Sequence, residues 1–334
     1  MTRRDVLALM GAAGVAAREA PGQSESPTPP TTTPQRVTPQ VAAEHAKAVR
    51  PLVCVYSGCL AKIPYQELSG IVRDMGYDGT DLTVMKGGHV DPSRYMVDLD
   101  RAFQTFQDAG LDLPMVTTDF TSASQPYAYA ILYVSGQLGA RLLRLGTWPA
   151  PMAAPDPTGQ LTSIRAAMMR NDLAQLSVTG RQCRITPLLA NHAGSYPGRS
   201  IPEAESMLNG IDRAGFGYCF DPVQAVMEAR SNDGWEQALQ AALPRLGAVA
   251  VSDVAFLGKD TVDKGTADKD TAKFRPCAMG EGVIDWKKFF AALATARFHG
   301  PLSMHMDYAA PNEVNAMTKD LAFTRARIEE AWPI

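Results

Sequence analysis

The chain contains no apolar run of the roughly 18 residues that a membrane helix needs, so no helical membrane span is expected. It has no serine elbow, no phosphate-binding P-loop and no paired CxxC, and no nucleotide cofactor is expected. Charge of one sign is missing as well. Lys and Arg number 32 against 35 Asp and Glu, a net charge of -3, which leaves no basic footprint for nucleic acid. Cysteines are few and odd in number: Cys54, Cys59, Cys183, Cys219 and Cys277 match no zinc spacing. Cys54, Cys183 and Cys219 lie in apolar runs and read as buried thiols. What is present is the composition of a globular protein, with 46% hydrophobic and 20% charged residues. The 334 residues exceed one typical domain but suit a single α/β barrel of about 250 residues with additions.

The additions sit at the start. Arg3-Arg4 precede a short apolar stretch, Val6 to Ala17, with small residues at Ala16 and Ala17. This reads as a twin-arginine export signal over residues 1–20, which places the protein in the periplasm or outside the cell. The competing reading is a frayed amphipathic N-terminus. Six of the 24 prolines fall between Pro21 and Pro39 among Thr, Ser and Gln. Such a segment buries too little apolar surface to offset its ordering entropy, so residues 21–50 read as a tether and 51–334 as the folded domain.

Past residue 50 short apolar runs alternate with helix-periodic segments. The strand-like runs are Leu52–Tyr56, Thr80–Val84, Leu113–Thr117, Leu142–Gly146, Ile185–Ala190, Gly217–Asp221, Ala248–Asp253 and Pro301–Asp307. Helices are expected near 65–75, 94–109, 125–138, 161–179, 202–213, 234–242, 286–296 and 312–331. Gly76, Gly110, Gly139, Gly180 and Gly215 are placed to end helices. Eight β/α units predict a (β/α)8 TIM barrel, with a doubly wound sheet as the alternative. In a barrel, function belongs at the C-terminal ends of the strands. There the sequence puts Asp81, His89, Arg144, Asn191, His192, Asp221, Asp253, His305 and Asp307.

Several segments carry a family likeness: Gly76-Tyr77-Asp78-Gly79-Thr80-Asp81-Leu82-Thr83-Val84, Gly87-Gly88-His89-Val90, Asn191-His192-Ala193-Gly194, Phe220-Asp221-Pro222, Gly280-Glu281-Gly282-Val283-Ile284-Asp285-Trp286 and Gly300 to Tyr308. In this order, at successive strand ends, they make residues 52–310 resemble the sugar-phosphate isomerase/epimerase group of xylose-isomerase-like TIM barrels. The resemblance implies one divalent metal (Mn, Mg, Co or Zn) held by Glu, Asp, His and Glu from strands five to eight. That metal would polarise a sugar carbonyl while carboxylates move a proton between adjacent carbons. Carried over by position, the strand-five Glu falls on Ala190 and the strand-six Asp on Asp221. A His three residues later falls on Gln224. The strand-seven His falls near Ala250, with Ser252 on the same facing, and the strand-eight Glu falls on Asp307. Two of four ligands survive in type.

Alternation along a strand would put His192 on the face of Ala190 and His305 on that of Asp307. A ligand set of Asp221, Asp307 and His192, extended by His305, is therefore one expectation; a metal-free pocket of the same residues is its competitor. Asp221, Asp307, His192 and His305 are the candidate catalytic groups. Arg144, His89, Asp81, Glu281, Asp253 and Asn191 are the candidate substrate contacts. Arg144 alternatively pairs with Asp119, and Trp235 packs its helix unless, with Glu228, it meets a sugar. Glu281 lies in a Gly280–Gly282 loop whose N–H groups suit an anion. The alternating Asp and Lys of 258–273 read as a solvated insertion rather than a lid. The expectation is an exported, carbohydrate-active enzyme that transfers a proton next to a carbonyl, with a small sugar as its partner. The alternative is a sugar-binding barrel that has lost its metal site. Multi-metal phosphodiester cleavage is disfavoured by the count of five His.

Overall fold

The computed structural model describes residues 50–148, 160–194, 196–257 and 273–333. The expected signal, the tether and nearly all of the 258–273 insertion lie outside the described residues.

Eight parallel strands close into a barrel. They are β1 (Val53–Tyr56), β2 (Gly79–Val84), β3 (Asp112–Thr118), β4 (Leu142–Arg144), β5 (Thr186–Ala190), β6 (Gly217–Phe220), β7 (Leu246–Val251) and β10 (Leu302–Met304). The barrel shuts where β1 pairs with β10, Val53 opposite Leu302 and Val55 opposite Met304. Helices follow in turn: α1 (Tyr65–Met75), α2 (Tyr95–Asp108), α3 (Ala128–Leu138), α4 (Gln160–Cys183), α5 (Ile201–Met207), α6 (Pro222–Ala229), α7 (Gly234–Ala242), α8 (Trp286–Thr295) and α9 (Glu313–Ala331). The alternation of side chains across each strand makes two cores. Outward residues such as Val53, Val55, Leu82, Tyr218, Phe220 and Met304 meet the helices. Inward Met115, Leu188, Cys219, Ala248 and Ala250 fill the barrel itself, as the fold requires of its interior.

The eight strand expectations and the barrel closure hold, with four differences. Strand seven ends at Val251, and after Ser252 the chain leaves the barrel as β8 (Asp253–Phe256), paired antiparallel with β9 (Phe274–Cys277). Strand eight ends at Met304, so His305 and Asp307 lie in the loop beyond it. Pro222–Ala229 forms α6, capped by the Asp221 side chain, which accepts from the Gln224 N–H. Gly180 ends nothing, because α4 runs through it to Cys183 and Arg184 takes the left-handed turn at φ 59. A Cβ at Gly180 would lie 2.6 Å from the Ile185 carbonyl oxygen, so this glycine serves close helix–strand packing. Gly76, Gly110 and Gly139 do adopt positive φ at helix ends. All five cysteines are free thiols, with Cys54, Cys183 and Cys219 buried. Among the described residues no helix is long and apolar enough to cross a membrane.

Candidate active site in the barrel mouth

Inward positions at the strand ends build the site in two layers. In the lower one Asp81 on β2 is fully buried. Its Oδ1 accepts from the Thr117 hydroxyl at 2.7 Å and its Oδ2 from the Ser303 hydroxyl at 2.7 Å. Burial raises its pKa, and Arg144 with the two hydroxyls works against the rise.

Above it, Tyr56, Arg144 and His305 form a stack. The Tyr56 and His305 rings lie 4.2 Å apart, 10° from parallel. The Arg144 guanidinium stands 5.3 Å from the centre of the Tyr56 ring, a cation–π contact worth about 0.5–2 kcal/mol. Arg144 Nη1 meets His305 Nε2 at 3.3 Å. Arginine has donors only, so Nε2 must offer a lone pair and the imidazole proton must sit on Nδ1. Ser303 Oγ is also 3.3 Å from Nε2, but its proton is committed to Asp81. Burial, reinforced by Arg144, holds the His305 pKa well below its ordinary value, so the ring is neutral. Burial works to discharge Arg144 too, but Cys219, Asp81, Tyr56 and Asp221 hold its pKa above normal. Burial pushes the Tyr56 hydroxyl up to about 12, against the pull of Arg144.

The rim carries two carboxylates. Asp221 is half-buried at the N-terminus of α6, and burial lifts its pKa to about 7; Asp307 adds to the rise, while the Gln224 N–H and Arg144 oppose it. Asn191 fixes this corner, accepting from the Asp221 N–H at 2.8 Å and donating to the Asp221 carbonyl at 2.9 Å. Asp307 leaves part of its surface open to solvent at the rim, while the protein around its carboxyl raises its pKa by desolvation and Arg144 counters the rise.

Other expected site residues are engaged elsewhere. His89 spends both ring nitrogens within the protein, on Thr83 Oγ1 of β2 at 3.1 Å and on the Ile63 carbonyl of the loop before α1 at 3.1 Å. Asp253 accepts from four donors: the N–H groups of Val254, Gly280 and Gly282 at 2.9, 3.0 and 3.2 Å, and the Trp286 indole at 2.9 Å. The Gly280–Gly282 loop does bind an anion through its backbone, and that anion is the protein's own Asp253. Glu281 points to solvent. His192 donates from Nδ1 to the Ala193 carbonyl at 2.9 Å and packs on Tyr196, 4.4 Å between ring centres. Asp119 is exposed, and Arg144 meets His305 and Tyr56 instead of it. Trp235 is buried edge-on against Phe289 at 5.2 Å, and Glu228 pairs with Arg199 at 3.3 Å.

The residues present do not fit a divalent metal. Among the described residues no group of three or more His, Cys, Asp or Glu is placed to hold one. The expected set of Asp221, Asp307 and His192 does not assemble: β5 stops at Ala190, and His192 beyond it is engaged with the Ala193 carbonyl and the Tyr196 ring. Ala190 and Ala250 close the inward rows of β5 and β7 without a donor. In their midst stands a fixed positive charge, Arg144.

Tyr56, Thr117 and Ser303 were not singled out from sequence as site residues. Tyr56 closes the Leu52–Tyr56 run and Ser303 shares the parity of His305, so inward facing marked both. The stack that joins them depends on contacts between strands far apart in the chain.

The family model for the xylose isomerase-like TIM barrel matches residues 71–327, and the chain belongs to that family. No curated protein matches it in sequence. Solved structures resemble it in fold. The apo 3-keto-D-glucoside 4-epimerase from E. coli superposes with TM-score 0.63 at 14% identity, covering 83% of this chain and 100% of that one. An L-ribulose 3-epimerase gives 0.60 at 15%, covering 84% and 95%. A xylose isomerase-like TIM barrel protein from Mycobacterium smegmatis, in complex with magnesium, gives 0.62 at 13%, covering 85% and 98%.

Proposed function

We propose that this chain is an isomerase or epimerase-like enzyme that moves a proton at the carbon next to the carbonyl of a sugar or keto-sugar. The observation that carries the reading is the convergence in one barrel mouth of a fixed cation, a neutral imidazole and an Asp221 carboxyl whose pKa of about 7 suits a general base. The epimerases among the structural neighbours support the same class. Asp221 takes the proton from the carbon acid, and the C–H electron pair becomes the C=C bond of an enediolate. The carbonyl pair moves onto oxygen, next to Arg144. Delivery of a solvent proton to the opposite face, with the abstracted proton lost from Asp221 to solvent, gives the epimer; return of the Asp221 proton to the neighbouring carbon, with proton transfer between the oxygens, gives the isomer. Asp307, exposed at the rim, exchanges protons with solvent and with substrate hydroxyls. Neutral His305 can donate from Nδ1 to a substrate oxygen.

The test is deuterium exchange. The purified full chain, incubated in D2O with D-allulose, D-fructose or a 3-keto-glucoside, is expected to wash deuterium into the carbon beside the carbonyl, read by NMR. Asp221→Asn is expected to stop it, and absence of exchange on every keto-sugar tried overturns the proposal. The inward alanines Ala190 and Ala250 favour a second reading, a barrel that binds sugar without turning it over; calorimetric binding of the same sugars without exchange would select it. We also propose export, on the strength of Arg3-Arg4 and the apolar stretch behind them. Recovery of the full chain in the periplasm, abolished by Arg3→Lys with Arg4→Lys, tests that.

A further inference from the structure

We infer that Arg144 is the resident cation of the barrel mouth, holding the negative charge that develops on the substrate's carbonyl oxygen in the place where a divalent metal would otherwise stand. The inference rests on the proton-transfer reading above.

Three observations carry it. The first is how Arg144 is held. Among the described residues it forms no ion pair; it is fixed by the face of Tyr56, by the lone pair of a neutral imidazole and by the Cys219 thiol. A guanidinium held by neutral groups keeps its full charge for a ligand, and His305 and the Cys219 thiol do not exhaust its five N–H donors. Part of its surface remains open.

The second is that the nearest buried carboxylate is kept from pairing with it. Both Asp81 oxygens are taken by hydroxyls, Thr117 on one and Ser303 on the other. Asp81 therefore supports the positive charge from below without neutralising it through a direct bond. With both oxygens of the supporting carboxylate held in place, the cation is preorganised, the condition under which charge stabilisation in a transition state is strongest.

The third is the donor set around it. The inward ends of β5 and β7 are alanine, and among the described residues no three metal-binding side chains converge. A divalent ion would enter a site with too few ligands and a fixed like charge beside it. In the step this requires, Arg144 N–H groups donate to the oxygen that becomes the enediolate as Asp221 removes the neighbouring C–H proton. When the proton returns, the carbonyl re-forms and those bonds relax; no co-reactant is consumed.

Two measurements on the purified full chain test the inference. In the first, wild-type protein is titrated calorimetrically with Mn2+ and with Mg2+. No saturable binding is expected, and one-site binding that disappears in Asp221→Asn overturns the inference. In the second, deuterium exchange into D-allulose is followed with EDTA present and in Arg144 variants. The expected result is exchange indifferent to EDTA, reduced about 100-fold in Arg144→Lys, and partly restored to Arg144→Ala by millimolar guanidinium. Thermal melts of the variants establish that they are folded, and rescue by a free cation is a response that a merely structural role would not give. Exchange that stops on chelation and returns with metal overturns the resident cation while the keto-sugar reading stands. A wild type that exchanges no keto-sugar removes that reading instead, and the metal titration then decides alone whether the mouth holds a cation of its own.

Discussion

Two carboxylates at the top of this barrel have opposite fates. Asp253, where the chain leaves β7 for the β8–β9 hairpin, is almost wholly buried and receives four donors. Asp221, at the adjacent strand end on the rim, receives the Gln224 N–H at 3.1 Å and faces Asp307 and Arg144. Both are Asp residues at a strand end, and sequence makes both candidates for the site, Asp221 as a catalytic group and Asp253 as a substrate contact. Their hydrogen-bond saturation separates them. Burial raises the pKa of both, but a carboxylate whose lone pairs are all spent ties a loop to the barrel, whereas one left with spare lone pairs can accept a proton.

Four experiments press on that contrast, from the largest effect to the smallest. Asp221→Asn and Asp307→Asn each remove a rim charge and keep the shape. Exchange or turnover is expected to fall about 100-fold or more with melting temperature nearly unchanged; wild-type rates in both would erase the catalytic half of the comparison. Asp253→Ala should do the reverse. It strands four donors, one of them the Trp286 indole, and is expected to cost at least about 3 kcal/mol in urea unfolding while the folded fraction keeps its activity. A neutral result would mean that the Gly280–Gly282 loop holds without its anion.

The third experiment is pH. Burial sets the folded-state pKa of Asp221 at about 7, above the roughly 3.9 of an unfolded Asp. Its contribution thus favours the folded state fully below about pH 4 and is lost as pH rises through about 7. Wild-type stability, measured against Asp221→Asn, is expected to decline across that window, and activity, which needs the ionised base, to rise across it. Since Asp307 raises the Asp221 pKa, Asp307→Asn is expected to move the stability decline to lower pH. Last, His89→Ala removes two loop bonds at about 1 kcal/mol each. A melting shift with little change in exchange rate is expected, and a large rate loss would return His89 to the substrate.

Much of the fold was legible because its signals are local. The Leu142–Gly146 run marks a strand by its apolar residues, Gly110 and Gly139 mark helix ends by backbone permissiveness, and a βα repeat counted eight times closes naturally into a barrel. Where local signals mislead, a neighbour in space is responsible. Gly180 looks like a helix stop, but the Ile185 carbonyl occupies the space a Cβ would need. Phe274 to Cys277 is too irregular to announce a strand and becomes one by pairing with Asp253 to Phe256. In the site, parity placed Arg144, Asp221 and His305 at the mouth. It was blind to His89 and Asp253, whose donors and acceptors come from Ile63, Gly282 and Trp286.

The sequence by itself determined eight alternating β/α units and which ends of the strands carry polar groups, because both follow from the spacing of residues along a few turns of chain; closure of the barrel belongs to the tertiary structure. Only the tertiary structure decided which of those groups are free to act. Ser303 reaches Asp81 across 222 positions and Arg144 reaches His305 across 161, and no periodicity records such pairings. A charge becomes a structural tie or a reactive group according to how many partners the closed barrel brings to it.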